Sequence, residues 1–406
     1  MRVILLAAIC CSAAAASASA QTALPPADRA RIDRVTAATP LVDGHNDLAD
    51  QVHELFGGDL AQVDLTRAAA SSPPLQTDIP RLRSGRVGAQ FWSVYVPAAL
   101  RGAEAAQAVQ VQIDLIRQMV ARHPEAFVFA ATADDIQRIH RSGRIASLLG
   151  MEGGEAISDS LAVLREFRVA GVLYMTLCHG ETTSWVDSAT DAPRHGGLSP
   201  FGEEVVREMN RIGMLVDLSH VSAAAMRDAL DVSRAPVIFS HSSAYALTPH
   251  PRNVPDDVLR RLRDNGGLVM VNFYPGFVSE EVRLWIAARA GEDARQKALH
   301  PGDPAAAAAG TAEWEAKAPR PAATIAQVAD HIEHIRKVAG IDHLGLGADF
   351  DGVPFTTRGL EDVASYPNLL AELIRRGWSD EELAALVGGN LLRVMREAEA
   401  VAAGGG

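Results

Sequence analysis

A histidine and an aspartate, two positions apart, close a short apolar run: Leu41-Val42-Asp43-Gly44-His45-Asn46-Asp47. Side chains two apart on a strand point to the same face. A strand here would aim an imidazole and a carboxylate into one space. A divalent metal suits that pair, whereas a hydrophobic core does not, because a buried unpaired carboxylate is costly. The alternative is a turn after a strand, with Asp47 starting a helix. This stretch alone leaves both readings open.

The pattern recurs along the chain. Later apolar runs end in Glu152, His179, His220 and His241, and the last carries Asp349 and Asp351. One strand-end histidine is usually a satisfied core or rim residue. Four histidines with several acids at equivalent positions are hard to explain that way. They form a nitrogen and oxygen ligand set suited to zinc and usable by manganese or cobalt. Five ligands exceed what one catalytic zinc takes, since that site keeps a position open. They suit two ions, with one carboxylate bridging, an arrangement that can activate water and polarise a substrate oxygen. Some two-metal barrel hydrolases bridge their ions with a carbamylated lysine. The only lysines here are Lys297, Lys317 and Lys337, none at a strand end, which leaves Glu152 as the bridge.

The elements that must position these groups are short and regular. Apolar runs occur at Leu41–Asp47, Gly88–Val96, Ala146–Glu152, Gly171–His179, Met214–His220, Pro236–His241, Leu268–Tyr274 and His343–Asp351. Their nearly continuous apolar character is that of buried parallel strands. Stretches such as Gly102–Arg122, Phe201–Ile212, Ser222–Leu230 and Ala323–Val338 between them read as helices. This α/β alternation predicts a (β/α)8 TIM barrel, whose strand ends open onto one face where active sites are built. A doubly wound sheet is the alternative, but no glycine-rich phosphate fingerprint follows the first strand. Residues 276–322 break the rhythm and are expected to be an insertion between strands seven and eight, a lid or oligomer contact. Its Ala/Pro-rich patch, Pro304–Gly310, is expected to be a solvated spacer. Asn390-Leu391-Leu392-Arg393 is expected to begin a helix that caps the barrel.

The chain has 406 residues, of which 48% are hydrophobic, enough for one large domain over 21–406. Its formal charge is −12 with acids and bases interspersed, and the absence of a basic stripe excludes nucleic acid as a partner class. Residues 1–20 read as a signal peptide: Arg2, a short apolar run from Val3 to Cys11, and Ala18-Ser19-Ala20 before Gln21. A lipoprotein anchor is the alternative, but Ile9 and Cys10 are poor residues before a lipidated cysteine. Secretion to a bacterial periplasm is the expectation. After cleavage only Cys178 remains, so no intrachain disulfide forms, and no later stretch reaches membrane-spanning length.

At this point the sequence resembles the membrane (renal-type) dipeptidases, peptidase family M19, within the amidohydrolase-type barrels. The matching segments run in order through the chain. They are Val42-Asp43-Gly44-His45-Asn46-Asp47, Gly150-Met151-Glu152-Gly153, Tyr174-Met175-Thr176-Leu177-Cys178-His179, Asp217-Leu218-Ser219-His220, Ser240-His241-Ser242-Ser243-Ala244-Tyr245, Arg252-Asn253-Val254-Pro255-Asp256, Val271-Asn272-Phe273-Tyr274 and Gly347-Ala348-Asp349-Phe350-Asp351-Gly352. The resemblance implies a two-zinc (Zn2+) dipeptidase. His45 and Asp47 would bind one metal, Glu152 would bridge, and His220 and His241 would bind the other. His179 would hold the scissile carbonyl, Arg252 would pair with the substrate carboxylate, and Asp349 would move the proton. The chemistry is consistent: arginine captures a planar carboxylate in bidentate fashion, and a carboxyl group can relay a proton to a leaving amine. Asp351 is the alternative proton carrier, and Tyr274 either walls the pocket or packs in the core. Implied substrates are dipeptides with a free carboxylate, extending to D-residue dipeptides and β-lactams. A noncovalent homodimer is implied too, because Cys178 sits inside an expected strand.

Two other functions stay open: a related barrel hydrolase acting on another amide or a lactone, and a non-catalytic binding protein on the same fold. His331 and His334 share a helix face and are expected to be solvated. His53, His123, His140, His195, His250, His300 and His343 receive no role.

Overall fold

The computed structural model describes residues 24–404. The expected signal peptide, with Cys10 and Cys11, lies outside the described residues. Among those described, no helix is long and apolar enough to cross a membrane.

Among the described residues, nine parallel strands form the sheet: β1 (Leu41–Asn46), β2 (Val87–Tyr95), β3 (Phe127–Phe129), β4 (Ile145–Glu152), β5 (Val172–Thr176), β6 (Leu215–Asp217), β7 (Ile238–Ser242), β8 (Leu268–Val271) and β9 (Leu344–Leu346). Pairing of β2 with β4 closes eight of them into a ring, β1-β2-β4-β5-β6-β7-β8-β9. This is the (β/α)8 barrel. β1, β4, β5, β7 and β8 are buried along their whole length, which is why they read as continuous apolar runs. β3 was not expected. It pairs only with the first residues of β4, from outside the ring, and three residues of mixed exposure carry no period.

The strands of the second half stop earlier than their apolar runs suggest. β5, β6, β8 and β9 end three residues before His179, His220, Tyr274 and Asp349. Left-handed backbone turns the chain out of the ladder at His220 (φ 71°), Asp349 (φ 67°) and Asp351 (φ 65°). The Asp217 carboxylate takes over the backbone donors that β6 and β7 leave free, accepting from Ser219 N at 3.1 Å and Ser240 N at 2.8 Å.

The helices between strands follow local capping rules. Ser199 and Ser222 cap Pro200–Ile212 and Ala223–Val232 by accepting from Gly202 N and Ala225 N. Thr324 and Gln327 form a capping box on Ile325–Val338. The last helix, Asn390–Gly404, closes the end of the barrel where strands begin. Leu391, Leu392, Val394 and Met395 pack on Val42, Phe91, Leu148 and Met270, and the Asn390 amide donates to the carbonyls of Ile341 and Leu344. The opposite end is left open.

Two expectations are corrected. Residues 276–322 do lie between β8 and β9, but the Ala/Pro-rich patch is not a spacer. Pro304–Lys317 is a helix, started by Asp303 accepting from Ala306 N, and alanine is the strongest helix former. It packs against the helix Glu280–Leu299: Gly310 lies against Gln296, and the Trp285 and Trp314 rings are 5.9 Å apart. His331 is not solvated either. It is 1% exposed, on the face of Ile325–Val338 that also buries Val328, Ile332 and Ile335. Its Nδ1 accepts from the Ala244 amide at 3.0 Å, a donor that would otherwise be buried without a partner. His334 pairs with Asp256 at 2.8 Å.

Candidate active site

At the open end, β1 delivers His45 from within its ladder. Asp47, one residue past the strand, does start a helix, Leu48–Phe56. Its side chain does not cap that helix, because Asn46 Oδ1 accepts from Leu48 N at 3.0 Å instead. The Asp47 carboxylate is thus left for the cavity, so this stretch both starts a helix and brings an imidazole and a carboxylate into one space. Gly44 lets the strand sit close to its neighbours: a Cβ there would lie 2.6 Å from Ser240 O and 2.5 Å from Met270 Sδ.

Glu152, at the end of β4, stands at the centre. Its Oε1 is 2.9 Å from His220 Nε2 and 3.2 Å from His241 Nε2, and its Oε2 is 3.5 Å from His45 Nε2. His45 Nε2 is also 3.3 Å from Asp47 Oδ2. Candidate ligand atoms form three overlapping triads, each within 4.8 Å: His45, Glu152 and His241; Glu152, His179 and His220; and His45, Asp47 and Asp349. Every side chain singled out as a metal ligand is therefore in one place.

The imidazoles are held from behind. Tyr174 Oη donates to Gly44 O at 3.0 Å and lies 2.8 Å from His45 Nδ1, so it accepts that nitrogen's proton. Ser240 Oγ donates to Asp217 at 2.6 Å and accepts from His241 Nδ1 at 2.8 Å. Both histidines thus turn Nε2, not Nδ1, to the carboxylates. A lone pair facing a carboxylate oxygen is repulsive unless a cation lies between them. His45 Nε2 has no hydrogen-bond partner, although it is fully buried. Such outer partners are how metal-binding histidines are oriented, so the donor set fits divalent ions.

The electrostatics agree. Burial pushes the His220 and His241 imidazoles well down, helped by the positive groups around them, which keeps them neutral. Burial would raise Glu152, but His45, His179, His220 and His241 hold it well below the usual carboxylate range. Burial would lower His45, yet Tyr174, Asp47 and Glu152 outweigh it and raise it, so without an ion this imidazole draws a proton into the gap between itself and the carboxylates. Carboxylates facing imidazoles that burial keeps neutral leave the site short of positive charge.

A cavity of about 370 Å3 opens above this cluster, lined among others by Asp50, Tyr95, His179, Arg252, Tyr274 and Asp349. The His179 ring is 4.3 Å from that of His220 and 4.8 Å from that of Tyr95. The Arg252 guanidinium is buried, with long contacts to Ser242 Oγ (3.5 Å) and His241 O (3.4 Å). Asp349 Oδ2 accepts from Asn272 Nδ2 at 2.9 Å. Burial, and then the charge of Asp47, push Asp349 up to about 8. Asp351 faces elsewhere: its Oδ1 accepts from Gln76 N at 2.6 Å, and it does not line the cavity. Tyr174, Asp217, Ser240 and Asn272 lie inside the segments quoted above, yet sequence reasoning assigned them no role. Each is an ordinary polar or aromatic residue on a strand or, for Asn272, just past one, and only its partner reveals its use. Asp50, Gln51 and Tyr95 were missed altogether.

A barrel with a convergent His/carboxylate centre beneath a polar cavity defines a metal-dependent hydrolase, and comparison with known proteins narrows it. Residues 29–405 match the family described as membrane dipeptidase (peptidase family M19). The chain is 44% identical over 377 residues to dipeptidase tcpJ of Claviceps purpurea (strain 20.1), covering 91% of this chain and 79% of that protein. It is 41% identical over 367 residues to dipeptidase 3 of Rattus norvegicus, covering 89% of this chain and 66% of the rat protein. The probable dipeptidase PvdM from Pseudomonas aeruginosa shares the fold, with a TM-score of 0.79 at 24% identity over 93% of this chain and all of that one. So does a metallo peptidase from Rhodobacter sphaeroides liganded with a phosphinate mimic of L-Ala-D-Ala, with a TM-score of 0.73 at 23% identity over 89% and 99%. The chain belongs to the membrane dipeptidase family, peptidase family M19, and is a metallo-dipeptidase.

Proposed function

We propose that the protein is an exported two-zinc dipeptidase that cleaves the peptide bond of dipeptides with a free C-terminal carboxylate. The observation that carries this reading is Glu152, whose two oxygens face different imidazoles, His220 and His241 on Oε1 and His45 on Oε2. A carboxylate shared in that way suits a bridge. His45 and Asp47 would hold one ion, and His220 and His241 the other. Bound zinc supplies Lewis acidity and an activated water.

The chain's own residues do the rest. Arg252 is a buried cation without a carboxylate partner, so it awaits one from the substrate. Burial lowers it to about 10, which leaves it charged at neutral pH. His179, packed between Tyr95 and His220, orients the scissile carbonyl. Asp349, oriented by Asn272, takes a proton from the attacking water and delivers it to the leaving amine. Its place at the cavity wall lets a carboxyl group serve both halves of that task. Tyr274 walls the cavity beside it.

Substrates with a D-residue at the second position are included, in keeping with the phosphinate ligand of the Rhodobacter protein, as are bicyclic β-lactams. The N-terminal segment supports export, with the bacterial periplasm as destination, and a noncovalent homodimer is the proposed assembly. The decisive experiment couples metal analysis of the purified protein to a dipeptide panel, before and after chelation. Two zinc per chain and turnover restored by zinc are expected. Less than one metal per chain, with turnover indifferent to added metal, would overturn the reading. Hydrolysis of a lactone or acylated amino acid in preference to every dipeptide would favour another hydrolase of this barrel.

A further inference from the structure

The cavity holds a second ionisable group without an ion-pair partner among the described residues. Asp50 lies on the first turn of Leu48–Phe56 and lines the cavity with Tyr95 and Gln51. Gln112, buried beneath it, donates to Asp50 Oδ1 at 3.3 Å and accepts from Tyr95 N at 2.8 Å. That is the only hydrogen bond of the Asp50 carboxylate among the described residues, and no cationic side chain pairs with it. Burial, and then the acidic neighbours Asp47, Glu54 and Glu152, push its carboxyl up to about 7 in the free protein, and a cation seated beside it would hold it in the charged form.

Its place in the ring matters. Asp50 follows β1 and Tyr95 ends β2, whereas Arg252 follows β7. In the order β1-β2-β4-β5-β6-β7-β8-β9, β7 is four strands from β2 one way and three from β1 the other. Asp50 and Arg252 therefore stand across the mouth from one another, with Glu152 and its histidines between. An unpaired carboxyl group and an unpaired cation flanking a hydrolytic centre match a zwitterion whose scissile bond lies between its charges. A dipeptide is such a molecule, with its ammonium and carboxylate roughly two residues' length apart.

We infer that Asp50, held by Gln112, receives the free α-ammonium of a dipeptide substrate. It thereby favours dipeptides over N-acyl amino acids. This rests on the dipeptidase reading above and adds the specificity determinant at the amino end. Asp50 binds and positions, and no bond is made or broken at it. The ammonium supplies the charge-assisted hydrogen bonds that Asp50 lacks in the free protein.

The test compares L-Ala-L-Ala with N-propionyl-L-alanine, which differs only in lacking the amino group. Steady-state kinetics are run on the metal-loaded wild type, Asp50→Asn and Asp50→Ala, with the propionyl compound read as substrate or as competitive inhibitor. Metal content is measured on each preparation and is expected to be unchanged. The variants should lose roughly 10- to 100-fold in kcat/KM on the dipeptide, mainly through KM, as expected for a lost charge-assisted contact. The kinetic or inhibition constant of the propionyl compound should move by less than about threefold on the same grounds. Equal losses on both compounds, or an undiminished kcat/KM on the dipeptide, would overturn the inference. A wild type that turns over N-propionyl-L-alanine as well as the dipeptide would also overturn it. A wild type that hydrolyses no dipeptide at all is a different failure, that of the dipeptidase reading itself.

Discussion

Tyr174 and His45 are locked to each other by one hydroxyl. Tyr174 Oη donates to Gly44 O and accepts from His45 Nδ1, leaving His45 Nε2 turned to Asp47 and Glu152. The hydroxyl fixes which nitrogen can ligate. Tyr174→Phe should therefore weaken metal retention by about tenfold or more, as outer partners of ligating histidines do. Metal content after dialysis against a graded chelator reads this directly. Activity should recover at excess metal, and a variant that keeps its metal as tightly as the wild type would refute the role.

Asp349 and Asp351 should separate cleanly. Asp349→Asn keeps the Asn272 contact but cannot carry a proton, so kcat should fall on the order of 10²- to 10⁴-fold, with little change in KM or metal content. Asp351→Asn should spare kcat and lower stability instead, because Asp351 Oδ1 accepts from Gln76 N and ties the loop before Ile79 to the end of β9. Kinetics and denaturation on both variants decide it. A comparable loss of kcat in the two would show that the proton does not travel through Asp349 alone.

Arg252 sets function against stability. Replacing it with Met should raise KM for dipeptides by about 100-fold through loss of a bidentate ion pair. The same change should make the substrate-free protein more stable, by roughly 1–2 kcal/mol, since a buried cation without a carboxylate is costly. Kinetics paired with urea denaturation test both halves. A less stable Arg252→Met would mean that its contacts to Ser242 and His241 outweigh its desolvation.

His331 should make the fold acid-sensitive. Its Nδ1 must stay unprotonated to accept from Ala244 N, and burial pushes its pKa down to about 4. Between pH 6.5 and 4 the unfolded imidazole binds a proton that the folded one refuses, so stability falls as pH drops through that window. Below it the loss is complete, and above it there is none. The full effect is at most about 3 kcal/mol. His331→Asn, which keeps an acceptor but cannot titrate, should flatten that part of the profile relative to wild type. Identical pH slopes in the two proteins would exclude His331 as a source.

Much of the architecture was legible because its signals are local. Each buried parallel strand is a short apolar run, and each run breaks where polar residues begin, so eight strands and their order could be read directly. β3 escaped because three residues of mixed exposure carry no period. The helix Pro304–Lys317 escaped because alanine repetition looks like low complexity, although alanine is also what a close helix pair needs where Gly310 meets Gln296. His331 was misjudged because spacing on a helix face does not say which face is covered. Only the packing against the loop after β7 reveals that.

By itself the sequence determined which donor types reach the open end of the barrel: His45, Asp47, Glu152, His179, His220, His241 and Asp349. Identity and strand-end position are properties of a few neighbouring residues. The tertiary structure decided how they are used. Tyr174 is 129 residues from the histidine it orients. Left-handed turns after β9 send Asp349 into the cavity and Asp351 away from it. Asp50 faces Arg252 across the mouth only because the ring closes between β2 and β4. Such relationships depend on the closure of the barrel, a long-range condition that no short stretch of chain encodes.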